Sequence, residues 1–109
     1  MAIDRQDWPA AERSFGAALK IRPTFLQARF QLARAMLEQE QVAAAAAEFE
    51  ALISEHPRYV DPYLGLADAR MRQGRPSDAQ SLCQAALQLR PGWPLATETL
   101  ARAQAAALR

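Results

Sequence analysis

The chain has 109 residues, 50% of them hydrophobic, and its 13 basic and 12 acidic side chains leave a formal net charge of +1 at pH 7. This balance gives no electrostatic basis for binding nucleic acid or an anionic membrane surface. No apolar stretch approaches the ~20 residues that a membrane-spanning helix needs, which argues against membrane insertion. The single cysteine excludes a disulfide bond within the chain.

Six helices separated by short turns are predicted, because alanine, leucine, arginine, glutamine and glutamate supply much of the chain and favour helix. Asp7 is a suitable N-cap for the first helix, and Pro9 is tolerated in its first turn. Gly74 lies where a tight turn needs a positive φ. In chain order, the predicted helices cover approximately residues 8–21, 24–39, 41–54, 60–73, 76–89 and 94–108.

One pattern of residues recurs every 34 positions. An alanine is followed by a large apolar residue, then by a small or apolar residue, and finally by a proline. The matching residues are Ala11, Phe15, Ala18 and Pro23; Ala45, Phe49, Leu52 and Pro57; and Ala79, Cys83, Ala86 and Pro91. Leucine–alanine pairs recur with the same period, at 32–33, 66–67 and 100–101. A fixed period of this length indicates an array of repeated helical units.

This pattern resembles that of the tetratricopeptide repeat family, in which Leu-Gly or Leu-Ala, then Gly, then Ala-x3-Phe-x2-Ala-x4-Pro recur in each unit. The resemblance implies an all-α fold, a right-handed superhelix of about six antiparallel helices. It makes residues 1–109 a single array, with a half repeat at 1–25, full repeats at 26–59 and 60–93, and a half repeat at 94–109.

The chain departs from the family pattern at a few positions. The Trp-like position is filled by Arg29, Tyr63 and Thr97, and the Tyr-like position by Met36, Arg70 and Gln104. The glycine within a unit is kept at Gly74 but replaced by Gln6 and Glu40. These positions vary within the family, so the register of the repeats stands.

The resemblance also implies that the first helix of each unit lines a concave groove that binds peptides. The groove residues carried over are Gln27, Phe30, Gln31, Arg34, Asp61, Leu64, Asp68, Arg72, Glu98 and Arg102, with Glu38, Gly65, Leu95 and Thr99 at further groove positions. Arg34, Asp68 and Arg102 occupy equivalent places on successive helices. Two interpretations stay open for them: a solvated charge ladder that contributes little to stability, or polarised sites for the backbone and acidic side chains of a peptide.

The sequence argues against one familiar ligand of the family, the C-terminal carboxylate of heat-shock chaperones. Tetratricopeptide repeat domains that hold the C-terminal carboxylate of heat-shock chaperones use Lys, Asn and Arg side chains on three successive first helices. The matching residues here are Phe30, Arg34, Gly65, Leu95 and Thr99. Because only Arg34 among them is cationic, we expect this carboxylate clamp to be absent in this frame.

No motif indicates an enzyme. The sequence has no glycine-rich phosphate loop, no metal-ligand spacing and no nucleophile elbow. Cys83 occupies the slot of Phe15 and Phe49, which predicts a buried and unreactive thiol. His56 ends a helix, where interaction with the helix dipole explains it better than catalysis does. We therefore predict no catalytic residues, no cofactor and no metal.

Two functions fit these observations. The first is a protein–protein interaction scaffold that binds a peptide or protein segment of unknown identity in its groove. The second is a structural or self-associating repeat segment of a larger multidomain protein, bacterial by the analogy of its Ala- and Arg-rich composition, with no groove ligand. The first residues lack the apolar core of a signal peptide, which favours the cytoplasm but leaves the periplasm open.

The two terminal helices are predicted to expose apolar side chains. These are Trp8, Phe15 and Ile21 on the first helix and Leu95, Leu100 and Leu108, at spacings that fit one stripe, on the last. Exposed apolar patches of a few hundred Å² usually recruit a partner. We therefore expect a homodimer that forms through one terminal helix.

Overall fold

The computed structural model describes residues 7–108, and all regular structure in this part of the chain is helical. The helices are α1 (Trp8–Ile21), α2 (Leu26–Glu38), α3 (Val42–Glu55), α4 (Asp61–Arg72), α5 (Pro76–Leu89) and α6 (Pro94–Ala107). The all-α prediction is confirmed, and each predicted helix end lies within two residues of the observed one. None of the described helices combines the length and the apolar character needed to cross a membrane. Gln6, one of the predicted glycine replacements, lies outside the described residues.

The helices form two layers of a curved array. Consecutive helices pack side by side, and α4 also contacts α2 and α6. Among the described residues, α1, α3 and α5 make no comparable contact with one another. The array therefore curves with α2, α4 and α6, here called the inner helices, on its concave side and with α1, α3 and α5, the outer helices, on its convex side.

The starts of the helices follow from local sequence. The Asp7 carboxylate accepts a hydrogen bond from the Ala10 N–H at 3.1 Å and caps α1, as predicted. The helices α1, α4, α5 and α6 each carry a proline in the first turn. A proline is tolerated there because the first N–H groups of a helix have no intrahelical partner.

The turn from α2 to α3 and the turn from α4 to α5 share one backbone conformation, although only the second contains a glycine. Gly74 has a φ of 75°, and Glu40, at the equivalent place, has a φ of 65°. In each turn the N–H of the next residue donates back into the preceding helix, at 2.8 Å after Gly74 and 3.0 Å after Glu40. Glu40 thus adopts the left-handed conformation that glycine adopts at less cost.

The turns that lead into the inner helices also repeat one design: a basic residue, a proline, a variable residue and an aromatic residue. Phe25, Tyr59 and Trp93 each donate a backbone hydrogen bond to the carbonyl of the residue three positions earlier, at 3.0, 3.0 and 3.3 Å. Arg22 lies 5.1 Å from the centroid of the Phe25 ring, and Arg90 lies 4.8 Å from that of Trp93. These turns hold one aromatic side chain at the start of every inner helix.

The core between the layers consists of alanines and a few larger side chains. Phe49 and Leu52 of α3 and Cys83 of α5 are fully buried. One apolar cluster surrounds Phe49, and a second surrounds Cys83. Phe15 occupies on α1 the position that Phe49 occupies on α3. It is only half-buried, and no residue of α1 is fully buried.

Arginines at two of the family's aromatic positions join helices of different layers. The Nη1 atom of Arg29 in α2 lies 2.8 Å from Oε1 of Glu55 in α3. Arg70 of α4 pairs with Glu50 of α3. The hydrogen bond and the charge of Arg29 lower the pKa of the exposed Glu55 carboxyl. At these two positions, ion pairs stand where the family pattern has aromatic side chains.

The predicted apolar stripe on the last helix is wrong. Leu100 packs against the Cys83 cluster, whereas Leu95 is 52% exposed and faces the concave side. Five residues rotate a helix by about 140°, so these two side chains point in different directions. Leu108, after the end of α6, is 89% exposed.

Candidate binding groove

A cavity of about 420 Å³ opens on the concave side of the array. All three inner helices contribute to its wall, because the 34-residue repeat brings the same helical face to the same side each time. The lining residues are Phe30, Arg34, Leu37 and Glu38 of α2, Asp61, Leu64, Gly65 and Asp68 of α4, and Trp93, Leu95, Thr99 and Arg102 at α6.

Apolar residues from the first halves of the inner helices form one end of this groove. Phe30, Leu64 and Leu95 come from α2, α4 and α6, and Trp93 directly precedes α6. The Phe30 ring is held by aromatic neighbours, with its centroid 5.8 Å from that of Phe49. We call this set, Phe30, Leu64, Trp93 and Leu95, the apolar end.

Gly65 forms part of the groove wall and sets how closely α4 approaches α3. A Cβ atom built on Gly65 would lie 2.5 Å from Cε1 of the Phe49 ring. Phe49 is fully buried and its ring is rigid, so it has little room to move aside. The absence of a side chain at Gly65 therefore lets the α4 backbone lie directly on the core.

Charged side chains also line the groove, Asp61 one turn before Leu64 on α4 and the others further along the inner helices. Arg34, Asp68 and Arg102 all face the same cavity, from α2, α4 and α6. The ion-pair partner of Asp68 is Arg72 on its own helix, with 3.6 Å between Oδ1 and Nε. Within residues 7–108, Arg34 and Arg102 have no carboxylate oxygen within 4.0 Å.

Arg72 does not line the cavity and connects the end of α2 to α4. Its Nη1 atom donates a hydrogen bond to the Leu37 carbonyl oxygen at 2.9 Å. Its Nη2 atom lies 3.4 Å from both carboxylate oxygens of Glu38. Glu40 is within 3.7 Å of the same guanidinium. One guanidinium thus pairs with three carboxylates, those of Glu38, Glu40 and Asp68, and its single charge offsets only part of theirs.

The structure brings six of the ten predicted groove residues together around the cavity: Phe30, Arg34, Asp61, Leu64, Asp68 and Arg102. The other four, Gln27, Gln31, Arg72 and Glu98, do not line it. Gln31 and Glu98 are sequence neighbours of lining residues, and one residue turns a helix by about 100°. Arg72 is engaged in the contacts to Leu37 and Glu38 described above.

Two lining residues were not predicted, Leu37 and Trp93. Leu37 is one helical turn beyond Arg34, so the helical period alone could have identified it. Trp93 belongs to the aromatic series Phe25, Tyr59 and Trp93, whose 34-residue spacing is visible in the sequence. This regular spacing could have identified Trp93 as a residue near the groove.

The remaining reactive side chains are accounted for by packing. Cys83 is fully buried, and burial raises the pKa of its thiol although the nearby charge of Arg102 opposes the shift. Thr99 is buried, and its hydroxyl donates to the Leu95 carbonyl oxygen at 2.8 Å. No group of three His, Cys, Asp or Glu side chains within residues 7–108 is arranged to hold a metal ion.

Comparison with solved structures places this architecture among tetratricopeptide repeat domains. The first such domain of Spaghetti (RPAP3), bound to an HSP90 peptide, is 17% identical with a TM-score of 0.84, covering 98% of this chain and 85% of that chain. The TPR2B domain of yeast Sti1, in a complex with pHsp70, is 18% identical with a TM-score of 0.82, covering 94% and 87%. The protein TTC0263 of Thermus thermophilus is 27% identical with a TM-score of 0.84, and the match covers 95% of this chain and 58% of that chain.

Sequence comparison gives the same family. No curated protein sequence matches the chain. The family model for the tetratricopeptide repeat matches residues 2–52 and 36–103, which together include most of the chain. The chain therefore belongs to the tetratricopeptide repeat family.

Proposed function

We propose that this chain is a protein-interaction scaffold whose groove binds a segment of a protein partner. The observation that carries the proposal is the cavity to which all three inner helices contribute. Its volume of about 420 Å³ falls within the ~300–1,000 Å³ of typical ligand pockets. The fold shared with domains that were solved with an HSP90 peptide and with pHsp70 supports this function.

The groove could hold one apolar side chain of the partner, which would anchor a longer segment of that partner. At the apolar end, Leu95 is 52% exposed, so an incoming apolar group would remove it from water. Polar and charged side chains begin beside this end and offer partners to a peptide backbone. In this proposal the chain holds its partner and catalyses no reaction.

Substitution of one exposed leucine tests the groove. We expect Leu95→Glu to weaken binding of groove-selected peptides by roughly tenfold or more, because it puts a charge at the apolar end. The matched control is Leu89→Glu, since Leu89 is also exposed, at 39%, but lies at the end of the outer helix α5. Peptides selected from a displayed library of random 12-residue segments would be measured by fluorescence anisotropy. Equal affinity in both variants would rule out the groove as the binding site.

The observation that favours self-association instead is the exposure of two apolar residues at the terminal helices. Ile21, at the end of α1, is 81% exposed, and Leu108, after α6, is 89% exposed. We expect a concentration-dependent homodimer, which Ile21→Glu or Leu108→Glu abolishes by placing a charge in the contact. Light scattering over a dilution series measures it. A monomer at every concentration would contradict self-association and leave groove binding unaffected.

A further inference from the structure

The last inner helix exposes a row of residues whose counterparts on the earlier inner helices are covered. Ala101 of α6 is exposed, whereas Ala33, at the same position of α2, has no exposed surface, and neither has the corresponding alanine of α4. One turn later Ala105 is exposed, whereas its counterpart Leu37 is buried. Ala33 and Leu37 belong to the cluster of Phe49, which lies on the outer helix that follows α2. Among the described residues, no outer helix follows α6. We call this exposed row, Thr97, Ala101 and Ala105, the α6 face.

The first outer helix is covered on one side only. Among the described residues, α1 contacts α2 but has no inner helix before it, whereas α3 packs between α2 and α4. Ala11, Phe15 and Ala18 of α1 are half-buried, and their counterparts on α3 and α5 are fully buried. Ala17 is exposed, whereas Ala51, one repeat later, is half-buried. The uncovered side of α1 is therefore the side on which α3 contacts α2. We call this side, with Ser14, Phe15, Ala17, Ala18 and Ile21, the α1 face.

We propose that the α6 face receives the α1 face of a second copy of this chain, with the packing that α3 has on α2. Phe15 of the second copy then lies against Ala101 and Ala105, in the place that Phe49 has on α2. The two faces fit each other because α6 repeats the sequence positions of α2 and α1 repeats those of α3. The contact between copies therefore continues the contact that already joins each inner helix to its outer helix within the chain. This inference names the surfaces of the self-association considered above.

The contact joins two different surfaces, so it does not close on itself. A dimer is its first product, and each added copy leaves one α1 face and one α6 face free, which builds open chains or closed rings. The α2 helix of the second copy also comes to lie beside α6, as α4 lies beside α2. The grooves of the two copies then join and offer a longer surface to a partner segment. Only this last consequence rests on the proposed function of the groove.

Two variants that each block one face test the pairing. Ala101→Arg blocks the α6 face, and Ser14→Arg with Ala17→Arg blocks the α1 face. All three residues are exposed, so we expect the fold to tolerate the changes. Leu82, which has the position of Ser14 on α5, packs on α4, and this shows that the position faces the preceding inner helix.

Light scattering over a dilution series, on each variant and on their mixture, gives the result. We expect the unmodified chain to form oligomers as its concentration rises and each variant alone to stay monomeric. An equimolar mixture should form a dimer with one copy of each variant and nothing larger, because only one pair of intact faces remains. Formation of this dimer also shows that both variants are folded.

The other outcomes would overturn the inference and can be told apart. If either variant dimerises alone, the contact pairs like faces or uses another surface, and self-association stands without this geometry. If the unmodified chain oligomerises but the mixture stays monomeric, the two faces do not pair. A monomer at every concentration would overturn self-association as a whole. None of these outcomes bears on groove binding, which the Leu95→Glu variant tests separately.

A transplanted ion pair tests the register of the contact. Arg29 of α2 pairs with Glu55 of α3 at 2.8 Å, and the corresponding positions of α6 and α1 hold Thr97 and Ile21. In the dimer of the two blocked variants, Ile21→Glu is placed in the copy with the intact α1 face and Thr97→Arg in the copy with the intact α6 face. We expect Ile21→Glu alone to weaken the dimer and Thr97→Arg to recover roughly two- to fivefold in affinity.

Gln104→Arg is the matched control for this pair. It adds the same charge to an exposed residue of α6, but its counterpart Arg70 contacts the preceding outer helix, so this position points away from the α6 face. We expect Gln104→Arg to recover no affinity in the presence of Ile21→Glu. Equal recovery with Thr97→Arg and Gln104→Arg, or none with either, would show that α1 does not pack on α6 as α3 packs on α2.

Discussion

Phe49→Ala is expected to lower the free energy of unfolding by about 3–5 kcal/mol, the range for loss of a fully buried phenylalanine. Phe49 has no exposed surface, lies at the centre of one core cluster and packs against the Phe30 ring of the apolar end. A domain of this size is stable by roughly 5–15 kcal/mol, so the substitution removes a large share of that stability. Urea denaturation followed by circular dichroism measures the change.

Phe15→Ala is the matched control for this substitution. Phe15 occupies the same slot one repeat earlier but is only half-buried, on a helix with no fully buried residue. We expect Phe15→Ala to lower the free energy of unfolding by roughly half as much as Phe49→Ala does, because Phe15 buries less apolar surface on folding. A Phe49→Ala variant that melts cooperatively with a nearly unchanged midpoint would show that the observed core packing is incorrect.

Gly65→Ala is expected to destabilise the chain by about 1–3 kcal/mol, which is the usual cost of overpacking a core. Helix propensity alone predicts the opposite sign, because alanine is favoured over glycine by about 1 kcal/mol in a helix interior. The difference is steric: the new Cβ would lie 2.5 Å from the Phe49 ring. Thermal unfolding of the variant decides between the two signs.

Gly16→Ala supplies the control for helix propensity. Gly16 lies inside α1, and a Cβ built there would have no atom within 4 Å apart from its chain neighbours and the backbone of its own helix. We expect this substitution to stabilise the chain by about 0.5–1 kcal/mol. A Phe49→Leu background should relieve most of the Gly65→Ala penalty, because the two sites share one contact. Stabilisation by both alanines alike would refute the close approach of α4 to Phe49.

Much of the fold could be predicted because its signals are local or strictly periodic. The 34-residue spacing placed Phe49 and Cys83 in one buried slot, and both are fully buried. The Asp7 cap and the positive φ of Gly74 follow from residue types at helix ends. Glu40 shows the limit of such rules, because it adopts the left-handed conformation without being glycine.

The groove was predicted less completely, since lining a cavity depends on how helices of different repeats are placed. Groove positions carried over from the family locate the face of each helix only to within one residue. Gln31 and Glu98 are each next to a lining residue but do not line the cavity themselves. Trp93 lines the groove although it precedes its helix, and it was not predicted.

By itself, the sequence determined the helices, their order and the type of residue in the buried slots of Phe49 and Cys83, because these depend on propensity and on a fixed period. Only the tertiary structure decided that Leu95 faces the groove while Leu100 packs into the core, and that Gly65 lies against Phe49. It also decided that Arg72 contacts Glu38, 34 residues away along the chain. These contacts join different helices, so their geometry follows from how the repeats stack and not from the spacing within any one of them.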